Sequence, residues 1–160
     1  MLHLADINTT ALSQLLANFQ LALSIVPNQA KILGTFWGEP EAGLVNNTLY
    51  ARSDTPIQSI LHESCHYICM DDHRRQQLHT NAGGNAIEES AVCYLQILLA
   101  EYIPEMGKAR MFRDMDDWGY SFRLGSAKRW FYEDAEDAQA WLIEHQLINP
   151  QLQVLFRLRH

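Results

Sequence analysis

The order of the predicted elements favours an α+β fold in a single domain over residues 1–160. A helical stretch comes first, two short strand-like stretches follow, and most of the remaining chain is helical. Strands and helices that occur in separate runs are typical of α+β domains. With 160 residues, of which 48% are hydrophobic, the chain can bury one core without disulfide bonds.

The first three elements are predicted from apolar spacing and turn residues. Leucine and phenylalanine side chains recur at helical spacing over 9–26, where we expect the first helix. The stretches 31–37 and 44–51 contain β-branched and aromatic residues, and glycine and proline lie between them. This pattern predicts two short strands joined by a segment rich in turns.

The later part of the chain is predicted to be helical. A helix at 56–70 follows the capping side chain and proline of 54–56, which together indicate a helix start. A second long helix is expected at 86–102, and two further helices at 108–118 and 133–147. The helix at 56–70 is apolar nearly all round, so we expect it to be central.

Charge and cysteine usage exclude several classes of function. The chain has 12 Lys and Arg residues against 19 Asp and Glu, a net charge of −7, so we expect no nucleic-acid partner. Its three cysteines do not form a disulfide framework and suit a reducing compartment. No signal peptide and no apolar run long enough to span a bilayer are visible, so we expect a cytoplasmic protein without a membrane partner.

The helix at 56–70 contains an HExxH motif, His62-Glu63-Ser64-Cys65-His66. Residues four apart share one helix face, so both imidazoles can bind one Zn²⁺ ion. Zn²⁺ lowers the pKa of a bound water from about 16 to about 7, and Glu63 is placed to take its proton as the catalytic base. A merely solvated polar face fits poorly, because the rest of the helix is apolar.

The motif is followed by two carboxylates, Glu88 and Glu89, at the start of the second long helix. This arrangement resembles small zincin metallopeptidases of the gluzincin type, such as the thermolysin-like, CaaX-endopeptidase-like and ImmA/IrrE-like families. The resemblance implies a glutamate on the following helix as third zinc ligand, with a small residue three positions later. Glu88 with Ala91 fits best, and Glu89 is the alternative. The Asp or Asn that follows the small residue in many relatives is Val92 here, so a partner for a ligand histidine must lie elsewhere.

The resemblance also implies a fold and an activity. We expect a zincin-like metallopeptidase fold, in which a small sheet packs on the HExxH helix and the C-terminal part is helical. The expected function is zinc-dependent hydrolysis of peptide bonds in a peptide or protein substrate. The alternative is a zincin-like metal-binding protein that has a regulatory or binding role and no proteolytic activity.

Other residues are weaker candidates for the site. A metzincin-type third ligand would be Asp72, with His73 and His79 nearby, but the glycine that this motif needs is replaced by Cys69. Tyr120 and Arg123 are candidates to stabilise the negative charge that develops on the carbonyl oxygen during hydrolysis. The stretch 44–52 is a candidate edge strand that pairs with an extended substrate.

Overall fold

The computed structural model describes residues 1–160 and confirms an α+β architecture, with seven α-helices and one small mixed sheet. The elements in chain order are a 3₁₀ helix at Leu4–Asp6, α1 at Thr9–Ala17, β1 at Ala22–Ile25, β2 at Gly43–Val45, β3 at Thr48–Ala51, α2 at Ile57–Cys69, α3 at Asp72–Gln76, α4 at Ala86–Ala100, α5 at Gly107–Trp118, α6 at Ala127–Glu133 and α7 at Glu136–Glu144.

The three strands form a sheet with β3 in the middle, parallel to β1 and antiparallel to β2. The outer edge of β2 is covered by a later segment of the chain. The N–H of Thr80 donates to the carbonyl of Leu44 at 3.0 Å, and the N–H of Asn46 donates to the carbonyl of Leu78 at 2.9 Å. The stretch 44–52 therefore has no free edge there for an extended substrate, contrary to the prediction.

The N-terminal part differs from the prediction in two places. The first helix ends at Ala17, earlier than predicted, because the chain turns at Gln20 with a φ of 59° and continues as β1. The stretch 31–37 forms no strand. A side chain holds its backbone instead, since the carboxylate of Glu39 accepts a hydrogen bond from the N–H of Ile32 at 2.8 Å.

Helix α2 is the centre of the core. Twelve of its 13 residues are buried and His62 is half-buried, and the helix packs against α4, α5 and β3. The bounds predicted for α2, α4 and α5 are confirmed to within two residues. The predicted cap is wrong, because Asp54 and Thr55 bind Arg52, at 2.6 and 2.9 Å, and not the first turn of α2.

The helix predicted at 133–147 is shorter and corresponds to α7, and it is preceded by α6, which was not predicted. Asp134 leaves the helical conformation between them, with φ −147° and ψ 23°, and its carboxylate binds Arg123 at 2.8 Å. Helix α7 then packs along α4. The tail beyond α7 returns to α2, where the N–H of Arg159 donates to the carbonyl of Ile68 at 3.1 Å.

Two further sequence expectations concern disulfides and membrane spans. Cys65, Cys69 and Cys93 are all buried and free, so no disulfide holds the fold together. None of the helices combines the length and the apolar character that crossing a bilayer requires.

Candidate metal centre

Helices α2 and α4 bring His62, His66 and Glu89 together. The Nε2 atoms of His62 and His66, one turn apart on α2, lie 3.1 Å from each other. The Glu89 carboxylate lies 3.1 Å from Nε2 of His62 and 3.2 Å from Nε2 of His66. One ligand atom of each residue lies within 4.8 Å of the others, so the three side chains can hold a metal ion.

Glu88, the residue preferred from the sequence as third ligand, does not join this cluster, and Glu89 takes its place. The buried Glu88 carboxylate accepts two hydrogen bonds from Arg74, at 2.8 and 3.0 Å, and lies 3.8 Å from the guanidinium of Arg159. Consecutive residues on a helix point about 100° apart, so Glu89 faces α2 when Glu88 faces the arginines. An ion pair rather than a metal site therefore explains the burial of Glu88.

Gln96 orients the first histidine. Its Oε1 lies 2.9 Å from Nδ1 of His62, and its Nε2 donates to the backbone carbonyl of Gln58 at 3.0 Å, which fixes the end of the amide that faces His62. Because the amide oxygen only accepts hydrogen bonds, Nδ1 carries the hydrogen and Nε2 of neutral His62 keeps its lone pair. Gln96, one turn after Val92 on α4, is thus the partner that the sequence left unassigned.

The resulting arrangement favours a bound cation. The lone pair on Nε2 of neutral His62 faces a carboxylate oxygen of Glu89, and two such groups repel each other unless a proton or a metal ion lies between them. Burial alone raises the pKa of Glu89, but hydrogen bonds and charge attraction from the two imidazoles, when these are protonated, outweigh this effect and lower the pKa. Two imidazoles and one carboxylate form a donor set that suits a catalytic zinc ion.

Glu63 lies beside the cluster and has no partner of its own. It is only 8% exposed, and its carboxylate forms no hydrogen bond or ion pair with the protein. Burial raises the pKa of Glu63 above its ordinary value of 4.5. A carboxylate that is largely removed from water and has no partner in the protein is disfavoured as an anion, and such groups cluster at functional sites.

No protein-family model, no curated protein and no solved structure matches this chain. The assignment of the site therefore depends on its geometry.

Two cavities give access to the cluster, and Glu63 lines both. One, of about 300 Å³, lies between Trp37 and Trp118 and is called here the two-tryptophan cavity. The other, of about 210 Å³, is bounded on one side by residues 80–83. A third cavity, of about 450 Å³, adjoins Glu89 from the side of α6 and α7.

Tyr120 is placed next to the cluster. Its ring centroid is 5.5 Å from that of His62, and it lines the two-tryptophan cavity. The hydroxyl donates to Oε1 of Gln58 at 2.6 Å and accepts a bond from Nε2 of Gln96 at 3.3 Å. Burial raises the pKa of Tyr120, so the phenol stays protonated near neutral pH. Its role in stabilising a transition state stays a prediction.

Arg123 is not part of the cluster. Its guanidinium is largely exposed and forms a bidentate pair with Asp134, at 2.8 and 3.0 Å. Arg123 and Glu89 both line the 450 Å³ cavity beside the cluster. Arg123 contacts neither histidine.

The three candidate ligands of a metzincin-type site also lie away from the cluster. The carboxylate of Asp72 pairs with Arg75 at 2.6 Å and lies 3.6 Å from Nδ1 of His160. His79 pairs through its backbone with Val45 at the edge of the sheet. His73 is exposed on α3, so none of these three candidate ligands reaches the cluster.

Sequence reasoning missed four residues of the site. They are the amides Gln58 and Gln96, which organise the hydrogen bonds around His62, and the aromatic side chains Trp37 and Trp118 at the larger of the two access cavities. A signal existed for the two glutamines, since each is a polar residue in an apolar helix and shares a helix face with a candidate ligand, Gln58 with His62 and Gln96 with Glu89.

Proposed function

We propose that this protein is a zinc-dependent hydrolase that cleaves peptide bonds, with His62, His66 and Glu89 as zinc ligands and Glu63 as general base. The observation that carries the proposal is the Glu63 carboxylate, which lines both access cavities next to the three ligand side chains and has no partner in the protein. A structural zinc site has four closed protein ligands and needs no base. Three ligand residues with an unpaired carboxylate next to them suit a reacting water better.

Zinc, when bound, would supply Lewis acidity that polarises a carbonyl group and makes water a stronger acid. Glu63 would take the proton of the attacking water on its carboxylate and deliver it to the nitrogen of the leaving amine. Burial raises the pKa of Glu63, which helps the first of these transfers because the carboxylate becomes a stronger base.

The residues around the ligands would act through orientation. Gln96 holds His62 in the tautomer whose Nε2 lone pair faces the cluster. The protonated Tyr120 hydroxyl lies close enough to the cluster to donate to a substrate carbonyl oxygen, provided that it rotates away from Gln58.

We propose further that the fold is zincin-like. In support, the HExxH helix α2 is central, α4 carries the carboxylate ligand and packs against α2, and the small sheet contacts α2 through β3. The proposed compartment is the cytoplasm, because three free cysteines suit reducing conditions.

The test is the Glu63→Gln variant, which keeps the size of the side chain and removes the base. We expect hydrolysis of a quenched fluorescent peptide library to fall by about 10²–10⁴-fold while bound zinc is unchanged. The matched control is Glu144→Gln, which makes the same charge change at an exposed residue of α7 that lines none of the cavities described above.

Two outcomes would contradict the proposal. Full activity in Glu63→Gln would remove Glu63 from the mechanism. Zinc binding without hydrolysis of any peptide by the wild-type protein would instead favour a regulatory or binding role for a metal-containing zincin-like protein.

A further inference from the structure

The two-tryptophan cavity lies directly against the proposed reaction site. His62 and Glu63 form its floor, and the indoles of Trp37 and Trp118 flank it from two distant parts of the chain. Both indoles are exposed, at 79% and 42%. A volume of about 300 Å³ is enough for one side chain of a substrate.

The charge of this cavity is negative. Three carboxylates line it, those of Glu41, Glu63 and Glu89, and no lysine or arginine does. If Zn²⁺ is bound, its two positive charges balance Glu63 and Glu89. Glu41 then remains as one uncompensated negative charge in the cavity wall.

Glu41 has no role in the proposed hydrolysis and no cationic partner in the protein. Its Oε1 accepts a hydrogen bond from Nε1 of Trp118 at 3.0 Å, which holds the carboxylate next to the indole. Burial raises the pKa of Glu41, and the bond from Trp118 only partly opposes this effect. A half-buried carboxylate in this situation gains most from a cation that enters the cavity.

The chemistry of the walls selects the occupant. Indole faces attract ammonium and guanidinium groups, and a planar guanidinium can stack on them while a carboxylate accepts its hydrogen bonds. A neutral aromatic group would use the indoles and leave Glu41 unpaired. An anionic group would be repelled by the carboxylates and by the net charge of −7.

We propose that the two-tryptophan cavity binds a cationic group of the substrate, a guanidinium or an ammonium, with Glu41 as its counter-ion. This inference rests on the proposed function, since it defines the substrate class of the same site. It selects peptides with arginine or lysine, or with a free amino terminus, close to the bond that is cleaved.

The experiment measures binding without turnover. The zinc-loaded full chain is titrated in a calorimeter with Nα-acetyl-arginine amide and with Nα-acetyl-citrulline amide, which has nearly the same shape and no charge. We expect the arginine compound to bind about tenfold more tightly, because citrulline lacks the positive charge that pairs with Glu41 and has a carbonyl oxygen in place of one donor group. Leucine amide, which has a free α-amino group and an uncharged side chain, tests whether the cavity prefers a terminal ammonium group to a side-chain cation.

Two variants assign the effect to Glu41. Glu41→Gln keeps the acceptor for Nε1 of Trp118 and removes the charge, so we expect it to abolish the preference for arginine over citrulline. Glu144→Gln makes the same charge change outside the cavity and should leave that preference intact. Thermal unfolding of both variants shows that the fold is unchanged.

The outcomes separate this inference from the proposed function. The cation site is overturned if the arginine and citrulline compounds bind equally and E41Q does not change the binding of leucine amide. It is also overturned if the preference for arginine over citrulline survives in E41Q. Either result stands even if the protein hydrolyses peptides. A preference that E41Q removes supports the cation site even if no peptide is hydrolysed. Tighter, E41Q-sensitive binding of leucine amide supports the site and assigns the cation to the amino terminus.

Discussion

Nδ1 of His62 and Oε1 of Gln96 lie 2.9 Å apart and join the two helices that carry the candidate metal ligands. The other end of the same amide donates to the backbone of α2 at Gln58. One buried glutamine therefore sets the tautomer of a candidate ligand histidine and links α2 to α4. Hydrogen-bonded partners of this kind tune metal affinity.

Gln96→Met should lower zinc affinity by about 10–100-fold, because His62 loses the group that orients its ring. Competition with a fluorescent chelator measures the change. Gln139→Met is the matched control, since Gln139 bonds to Tyr94, which lines none of the cavities at the cluster. Equal affinities for the wild type and Gln96→Met would show that Gln96 has no part in binding.

Tyr120→Phe should lower kcat for peptide hydrolysis by about 100-fold, if the hydroxyl donates to the oxygen on which charge develops. Zinc content should not change, because the phenol is not a ligand. Steady-state kinetics and metal analysis on the same sample check both statements. Tyr102→Phe, at an exposed tyrosine, is the control. A rate within a factor of two of the wild type would leave Tyr120 with a structural role only.

The helices that carry the site could be predicted from the sequence because their signals are local. The spacing of His62 and His66 places both on one face of a helix, and the long apolar patterns predict α2 and α4 closely. The choice between Glu88 and Glu89 is not local. It depends on Arg74 and Arg159, which reach Glu88 from other parts of the chain.

The parts of the fold that could not be predicted depend on tertiary contacts. The leucine pattern over 9–26 covers both α1 and β1, because apolar residues near a turn at Gln20 match a helical period by chance. The two-tryptophan cavity joins residues 37 and 118, which no short-range pattern connects. Helix α6, which was not predicted, has only seven residues, too few for a helical period to be recognised in the sequence.

Gly84→Ala should reduce the free energy of unfolding by about 1–3 kcal/mol, the usual cost of overpacking. A β-carbon at position 84 would lie 1.4 Å from Oε2 of Glu88, whose carboxylate is held by two bonds from Arg74. Urea denaturation measures the change. Gly83→Ala is the control, because its nearest atom is a side-chain oxygen of Asn81 at 3.3 Å. Equal stability of the two variants would contradict the packing around Glu88.

Asp54 should contribute to stability above pH 4 and lose that contribution in acid. Its hydrogen bonds from Arg52 lower the pKa of Asp54 below the ordinary value of 3.8. Asp54 therefore takes up its proton at a higher pH in the unfolded chain than in the folded protein. As the pH falls from the unfolded pKa to the lower folded pKa, the free energy of unfolding decreases. The difference in urea midpoint between wild type and Asp54→Asn should be largest above pH 5 and shrink towards pH 2. A difference in urea midpoint that does not change with pH would contradict this linkage. The control is Asp137→Asn, which makes the same change in net charge at an exposed residue.

The metal content of each chain decides the claim that His62, His66 and Glu89 form a zinc site. Zinc and iron are measured by elemental analysis in the wild type, His66→Ala, Glu89→Gln and Glu88→Gln. We predict about one zinc per chain in the wild type and in Glu88→Gln, with zinc lost from the other two variants. Iron in place of zinc, zinc retained in Glu89→Gln, or no bound metal in metal-replete wild-type protein would contradict the claim.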